Sequence, residues 1–136
     1  MKLGIAVSEY HWEDITRKML DVALKTAQKE GVDVEKVIKV PGSFDIPLAV
    51  KRLLQMKEID GVVTLGAIVQ GETAHDEVIA HAVAKALTEL SLEFGKPVTL
   101  GISGPRMTME QAAARIPRAA DATRACAELV KRLRER

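Results

Sequence analysis

The sequence has little of what several classes of protein depend on. It contains one cysteine, Cys126, and no zinc-type spacing of ligands, which excludes a disulfide scaffold and indicates a reducing compartment. Its 20 Lys and Arg are balanced by 19 Asp and Glu, so no strong field favours nucleic acid or an anionic membrane. No apolar run reaches membrane-spanning length, and the N-terminus is interrupted too soon for a signal peptide. We expect a soluble cytoplasmic protein, with residues 1–136 forming one domain.

Four apolar segments predict β-strands, and helical patterns lie between them. The predicted strands cover residues 2–7, 34–40, 61–67 and 97–102, and the predicted helices cover residues 12–30, 46–56, 75–94, 108–116 and 118–136. This alternation predicts a three-layer α/β/α sandwich around a four-stranded parallel sheet, flavodoxin-like in class. In such sheets, ligands bind beyond the carboxyl ends of the strands.

Aromatic residues are scarce, and two of the four follow the first strand. Tyr10 and Trp12 lie in the loop "SEYHWED", together with His11. One interpretation is a stacking face for a flat heteroaromatic ligand; the other is a hydrophobic staple onto the next helix or a subunit contact. Composition alone favours neither.

The loop after the second strand, "VPGSFDIP", brings an aromatic ring and a carboxylate to the same edge. Ser43 or Asp45 can simply cap the following helix. The functional interpretation adds Phe44 as an aromatic contact and uses the carboxylate to accept hydrogen bonds from a polyol.

The loop after the third strand, "QGETAHDE", combines helix-capping residues with a candidate anion site. Thr73 and Asp76 have the spacing of a capping box. The free N–H groups of Gly71, Glu72 and Thr73 suit a phosphate at the helix N-terminus. His75 beside that phosphate suits general acid–base chemistry, although a lone histidine is as often a solvated surface residue. No pair of histidines has metal-ligand spacing, and we expect no metal.

A last candidate follows the fourth strand. The segment "GISGPRMTMEQAAAR" contains a predicted turn at residues 103–105, a second capping box from Thr108 to Gln111, and Arg115. Arg115 is either an exposed helix arginine or a bidentate phosphate ligand.

Together these segments resemble a known family. "VPGSFDIPLAVKRLL", "GVVTLGAIVQGETAHDEVIAHAVAKAL" and "GKPVTLGISGPRMTMEQAAAR" are similar to 6,7-dimethyl-8-ribityllumazine synthases, most of all to the archaeal branch. The resemblance implies a cofactor-free transferase of riboflavin biosynthesis. It would condense 5-amino-6-(D-ribitylamino)uracil with 3,4-dihydroxy-2-butanone 4-phosphate, releasing phosphate and water.

The resemblance also implies roles for individual residues. Proton transfer falls to His75, and phosphate binding to Arg115 from a neighbouring subunit, so the enzyme is expected to be a homo-oligomer, at least a pentamer. The residues implied in substrate binding are Ser43, Phe44 and Asp45 for the ribityl chain, Ala67, Ile68 and Val69 for the pyrimidine, Glu72 and Thr73 for the phosphate, and Leu100 where many relatives have phenylalanine.

The chain departs from the family pattern at two functional positions. Its first loop is one residue longer than in the family. If the loop is aligned with a gap, the stacking position falls on Tyr10; aligned without a gap, it falls on His11. Trp12 could also supply the ring. The second basic phosphate contact has no clear equivalent, and Arg118 and Arg124 are the candidates. Two rivals remain: an archaeal-type riboflavin synthase, which lacks the Gly-Glu-Thr-x-His pattern, and a non-catalytic lumazine- or flavin-binding shell protein.

Overall fold

A four-stranded, all-parallel sheet forms the centre of the molecule, as the sequence predicts. The computed structural model describes residues 1–71 and 75–135. Neighbouring strands pair in the order β2-β1-β3-β4, so β2 and β4 are the edge strands. The strands are β1 (Lys2–Ser8), β2 (Asp33–Val40), β3 (Gly61–Val69) and β4 (Val98–Met107).

Helices cover both faces of the sheet and bury its two apolar sides. The helices are α1 (Arg17–Lys29), α2 (Ile46–Leu54), α3 (His75–Phe94), α4 (Met109–Ala114) and α5 (Arg118–Arg134). On one face, α1, α4 and α5 pack on a core that includes Leu3, Ile5 and Leu65. On the other, α2 and α3 pack on a core that includes Ile59 and Val62. β1 and β3 are buried almost throughout, because each has helices on both faces, and the α/β/α prediction is confirmed.

The fourth strand does not end where the sequence predicts. Instead of turning at residues 103–105, it continues to Met107 and pairs there with Val69. Ala67 pairs with Ser103, so two positions along β3 correspond to four along β4, and the extra residues form a bulge. Gly104 and Arg106 take positive φ values of 110° and 61° in this bulge. The turn-forming residues therefore kink the edge strand without ending it.

The segment after β1 also differs from the prediction of one continuous helix. Residues Trp12–Thr16 form a π-helical turn before α1 begins at Arg17. His11 precedes that turn in the left-handed conformation, with φ 59°. Such wide turns accommodate an extra residue, which agrees with the longer loop seen in the sequence.

One carboxylate connects the first strand to the last helix at the amino end of the sheet. Asp60 accepts a hydrogen bond from the Lys2 backbone N–H at 2.8 Å and pairs with Arg134 at 2.7 Å. Both partners lie far from Asp60 in sequence. This contact ties the end of the last helix to the start of two paired strands, β1 and β3.

Other buried polar groups near this end are also paired. Lys96 Nζ donates to the carbonyls of Leu54 and Met56, at 3.0 and 3.2 Å, where α2 ends. Thr64 Oγ1 donates to the Thr99 carbonyl at 2.7 Å. Across the described ranges, we find no helix that is both long enough and apolar enough to span a membrane.

Candidate active site

A cavity of about 320 Å³ opens at the carboxyl ends of β1, β2 and β3. It is the place where the parallel-sheet rule predicts a ligand. The ends of β1, β2 and β3 and the segments that follow them contribute to it, and they bring together seven of the predicted site residues. These are Tyr10, Ser43, Phe44, Ala67, Ile68, Val69 and His75.

His75 is the first residue of α3 and lines this cavity. Its side chain is exposed, whereas the next residue, Asp76, is 6 % exposed. The geometry therefore places a solvent-accessible acid–base group at the rim of a mainly apolar cavity.

The three candidates for the stacking ring have different surroundings. Tyr10 is 54 % exposed and lines the cavity. The His11 ring lies edge-on to it, with centroids 4.1 Å apart. Trp12 packs against the core instead, with Lys39 Nζ 4.7 Å from its ring centroid. Of the three, Tyr10 alone is among the described cavity-lining residues, and Trp12 matches the alternative interpretation of a structural contact.

The loop after β2 places a buried hydroxyl and an exposed carboxylate near the cavity. Ser43 is 7 % exposed, and no described residue forms a hydrogen bond with its Oγ. Asp45 lies outside the cavity lining, and its Oδ2 accepts from the Gly42 N–H at 3.0 Å. One carboxylate oxygen thus closes the turn before α2, but the side chain of Asp45 does not cap α2 as the capping interpretation predicts, and no described residue bonds Ser43 Oγ. Phe44 is 65 % exposed beside them and offers an unburied aromatic face.

Three candidate residues lie in a different cavity. A depression of about 700 Å³ along β4 and α5 is lined by Leu100, Arg115 and Arg118. It shares no lining residue with the His75 cavity. Arg124 is not in its lining and pairs instead with Asp121 at 3.2 Å. Within one copy of the chain, Arg115 and Arg118 therefore line a surface apart from the His75 cavity.

The remaining predictions from the sequence have different outcomes. Glu72 and Thr73 lie outside the described residues, and so does half of the capping box predicted from Thr73 to Asp76. The second box is confirmed: Thr108 Oγ1 accepts from Gln111 N–H, and the Gln111 side chain accepts from Thr108 N–H. The part of the chain that the structure describes has no cluster of three His, Cys, Asp or Glu side chains placed to hold a metal.

The sequence analysis missed some residues around the His75 cavity. Ile79 lines it one helical turn after His75, and this spacing could have revealed it. Asp76 also borders the cavity, but its carboxylate accepts from the backbone N–H of Arg106 at 3.0 Å. No local pattern indicates a partner thirty residues away.

Comparison with known proteins identifies the family. A family model described as 6,7-dimethyl-8-ribityllumazine synthase matches residues 1–134. Proteins of that name from Picrophilus torridus and Sulfolobus acidocaldarius are 48 % and 52 % identical to this chain, over 98 % and 99 % of it and 98 % and 85 % of their own lengths. The one from Metallosphaera sedula is 58 % identical over 85 % of this chain and 76 % of its own. The chain belongs to the 6,7-dimethyl-8-ribityllumazine synthase family.

Proposed function

We propose that this chain is a lumazine synthase, a transferase of riboflavin biosynthesis. It condenses 5-amino-6-(D-ribitylamino)uracil with 3,4-dihydroxy-2-butanone 4-phosphate and releases phosphate and water. The observation that carries the proposal is the 320 Å³ cavity, because the ends of three strands and the segments that follow them bring seven predicted site residues to it. Full-length similarity to enzymes of that name supports the same reaction.

His75 is the proton-transfer group of this proposal. Imine formation, phosphate elimination and ring closure each require a proton to be moved, and an accessible imidazole suits all three. The reaction as proposed uses no cofactor and no metal.

The ribitylaminouracil fits the remaining groups of the cavity. Tyr10 and Phe44 offer aromatic faces for the ring, and the backbone of residues 67–69 offers hydrogen bonds to the pyrimidine. The buried hydroxyl of Ser43 has a donor and lone pairs available for a ribityl hydroxyl. The carboxylate of Asp45 binds the chain through the oxygen that does not hold the Gly42 turn.

Phosphate binding is shared between two copies of the chain in this proposal. The backbone of Glu72 and Thr73 provides one side of the site. Arg115 of a neighbouring subunit provides the other, with Leu100 beside it and Arg118 as the second basic contact. The separation of the two cavities supports this arrangement, since the cationic residues line a surface apart from His75. It requires a homo-oligomer, at least a pentamer.

A cytoplasmic location is part of the same proposal. The single cysteine, Cys126, is a buried free thiol, as is usual in reducing compartments. The proposed partners are the two small-molecule substrates and other copies of this chain; no nucleic acid or membrane is involved.

A direct turnover assay tests the activity. The purified protein is mixed with both substrates, and lumazine fluorescence is followed against the uncatalysed reaction. We expect turnover above background that falls at least about 100-fold in His75→Ala. The matched control is His81→Ala, an exposed histidine on the same helix that is outside the cavity lining. A flat trace from folded wild-type protein contradicts the proposal, and lumazine binding without turnover would favour a shell protein.

Subunit mixing tests the shared site. His75→Ala and Arg115→Ala are each expected to be nearly inactive alone. Unfolded together and reassembled in equal amounts, they should regain about a quarter of the wild-type activity, since random neighbours pair two intact halves at that frequency. No recovery in mixed oligomers would contradict a site built from two copies.

A further inference from the structure

The end of β4 contacts both sides of the segment that carries the proposed phosphate loop. The Met107 carbonyl accepts from the Gln70 N–H at 2.7 Å, directly after β3. The Arg106 N–H donates to Asp76 Oδ2 at 3.0 Å, in the first turn of α3. Two adjacent residues of β4 therefore hold the chain before and after residues 72–74.

Asp76 is an unusual residue to find at such a contact. It is an acidic residue with only 6 % of its surface exposed, and the bond from Arg106 satisfies one of its oxygens. Arg106 presents that N–H from a left-handed conformation, φ 61°, which non-glycine residues rarely adopt. Its guanidinium group also pairs with Glu77. Two consecutive acidic residues of α3 thus hold one strained residue of the β4 bulge.

We propose that Asp76 is a positioning residue for His75, acting through its hydrogen bond from the Arg106 backbone. Consecutive side chains of a helix point about 100° apart around its axis, so a fixed Asp76 fixes the rotation of the turn that bears His75. Both residues line the cavity, but the carboxylate of Asp76 is bonded to the backbone of β4. The inference rests on the proposed function of His75 as the proton-transfer group.

The pair between Arg106 and Glu77 forms a weaker outer part of the same contact. The Arg106 side chain is 73 % exposed, and exposed ion pairs contribute little. The buried hydrogen bond to Asp76 is therefore the part that sets the geometry. An amide in place of the carboxylate keeps the acceptor, whereas a methyl group removes it.

The decisive test compares Asp76→Ala with Asp76→Asn in steady-state kinetics, well below both unfolding temperatures. We expect Asp76→Ala to lower kcat at least tenfold, to about a tenth or less, because small displacements of a reacting group have large effects on rate. Its KM for each substrate should stay within about threefold of wild type. Asp76→Asn should keep kcat within about threefold. Glu89→Ala removes an acidic residue from the same helix, away from the cavity, and should change neither constant.

Each contrary result has a definite meaning. A wild-type kcat in folded Asp76→Ala overturns the proposal, and so does an Asp76→Asn variant as impaired as the alanine variant, because charge and not position would then matter. If Asp76→Ala does not fold, Asp76→Glu decides. It keeps the carboxylate but displaces the acceptor by one methylene, so kcat should fall about threefold; an unchanged kcat overturns the proposal. Absence of wild-type turnover would instead contradict the proposed function itself.

Discussion

The two ends of the parallel sheet differ in how their polar side chains are bonded. At the amino end, Lys96 donates to two backbone carbonyls, and Asp60 connects the first strand to the last helix. At the carboxyl end, no described residue bonds the buried hydroxyls of Ser43 and Thr16.

Strained backbone conformations also distinguish the two ends of the sheet. The two non-glycine residues with positive φ in the described ranges, His11 and Arg106, both lie at the carboxyl end, next to the His75 cavity. Strained or unpaired groups persist only where the surrounding structure holds them, and they concentrate at functional sites. The comparison indicates that the amino end stabilises the fold, whereas the carboxyl end combines a bonded Asp76 with the Ser43 hydroxyl, which lines the cavity without a bond from a described residue.

The largest expected effect is that variants at the two ends change different quantities: kcat at one end and Tm at the other. His75→Ala should lose at least about 100-fold in kcat with little change in Tm, because the side chain is exposed. Lys96→Met should behave in the reverse way, with normal kcat and a lower Tm, because it leaves two carbonyls at the end of α2 without their donor. The measurements are kcat and thermal unfolding of both proteins. Parallel losses in both quantities for both variants would remove the distinction between the ends.

Removing a buried hydroxyl at each of two positions sharpens the comparison. The resulting change in the free energy of unfolding should have opposite signs at Thr64 and at Ser43. Thr64 Oγ1 donates to a carbonyl and accepts from the Gly101 N–H at 3.3 Å, so Thr64→Val should lower the free energy of unfolding by about 1–3 kcal/mol. Ser43→Ala should leave it unchanged or raise it by up to about 1 kcal/mol, while weakening ribitylaminouracil binding. Urea unfolding and substrate titration measure the two effects. A destabilised Ser43→Ala would mean that its hydroxyl already has a structural role.

Lysines allow a matched measurement at the amino end. Lys96→Met should lower the free energy of unfolding by about 1–2 kcal/mol, because the carbonyls of Leu54 and Met56 lose their donor. Lys85→Met is the control, since that lysine is exposed and makes only a long ion pair with Glu89 at 3.9 Å. Urea unfolding at neutral pH compares them. Equal effects would show that the bonds of Lys96 contribute nothing specific.

The smallest effect concerns pH. Burial raises the pKa of the Cys126 thiol to about 12, whereas an unfolded cysteine ionises near about 8.5. The folded chain therefore holds its proton where the unfolded chain loses it, and this stabilisation declines as pH rises above the unfolded value. Between pH 7 and 9.5 the wild type should lose about 1 kcal/mol more unfolding free energy than Cys126→Ala. Parallel pH curves for the two proteins would mean that the thiol does not contribute.

The sequence was most informative where the pattern is periodic or the chemistry is local. Strands buried on both faces and a helix of uniform spacing from His75 to Phe94 could be predicted, because burial alone sets those patterns. The candidate cavity residues in three loops could be located for a related reason, since parallel strands bring their carboxyl ends together.

Residues whose role depends on a distant partner could not be predicted. Gly104 and Pro105 predict a turn, but the pairing of β3 with Met107 keeps β4 in the sheet. Asp76 looks like part of a helix cap, and its bond from Arg106 exists only in the folded chain. Which of Tyr10, His11 and Trp12 faces the cavity depended on a π-helical turn that no sequence pattern specifies.

The double contact of Asp60 also bears on how the chain could be rearranged. Because one carboxylate holds both residue 2 and residue 134, these positions lie close together, at the opposite end of the sheet from the His75 cavity. A short linker between them should therefore allow circular permutation, with new ends opened in a surface loop. By the same geometry, a protein fused at either position would be held away from the mouth of the cavity.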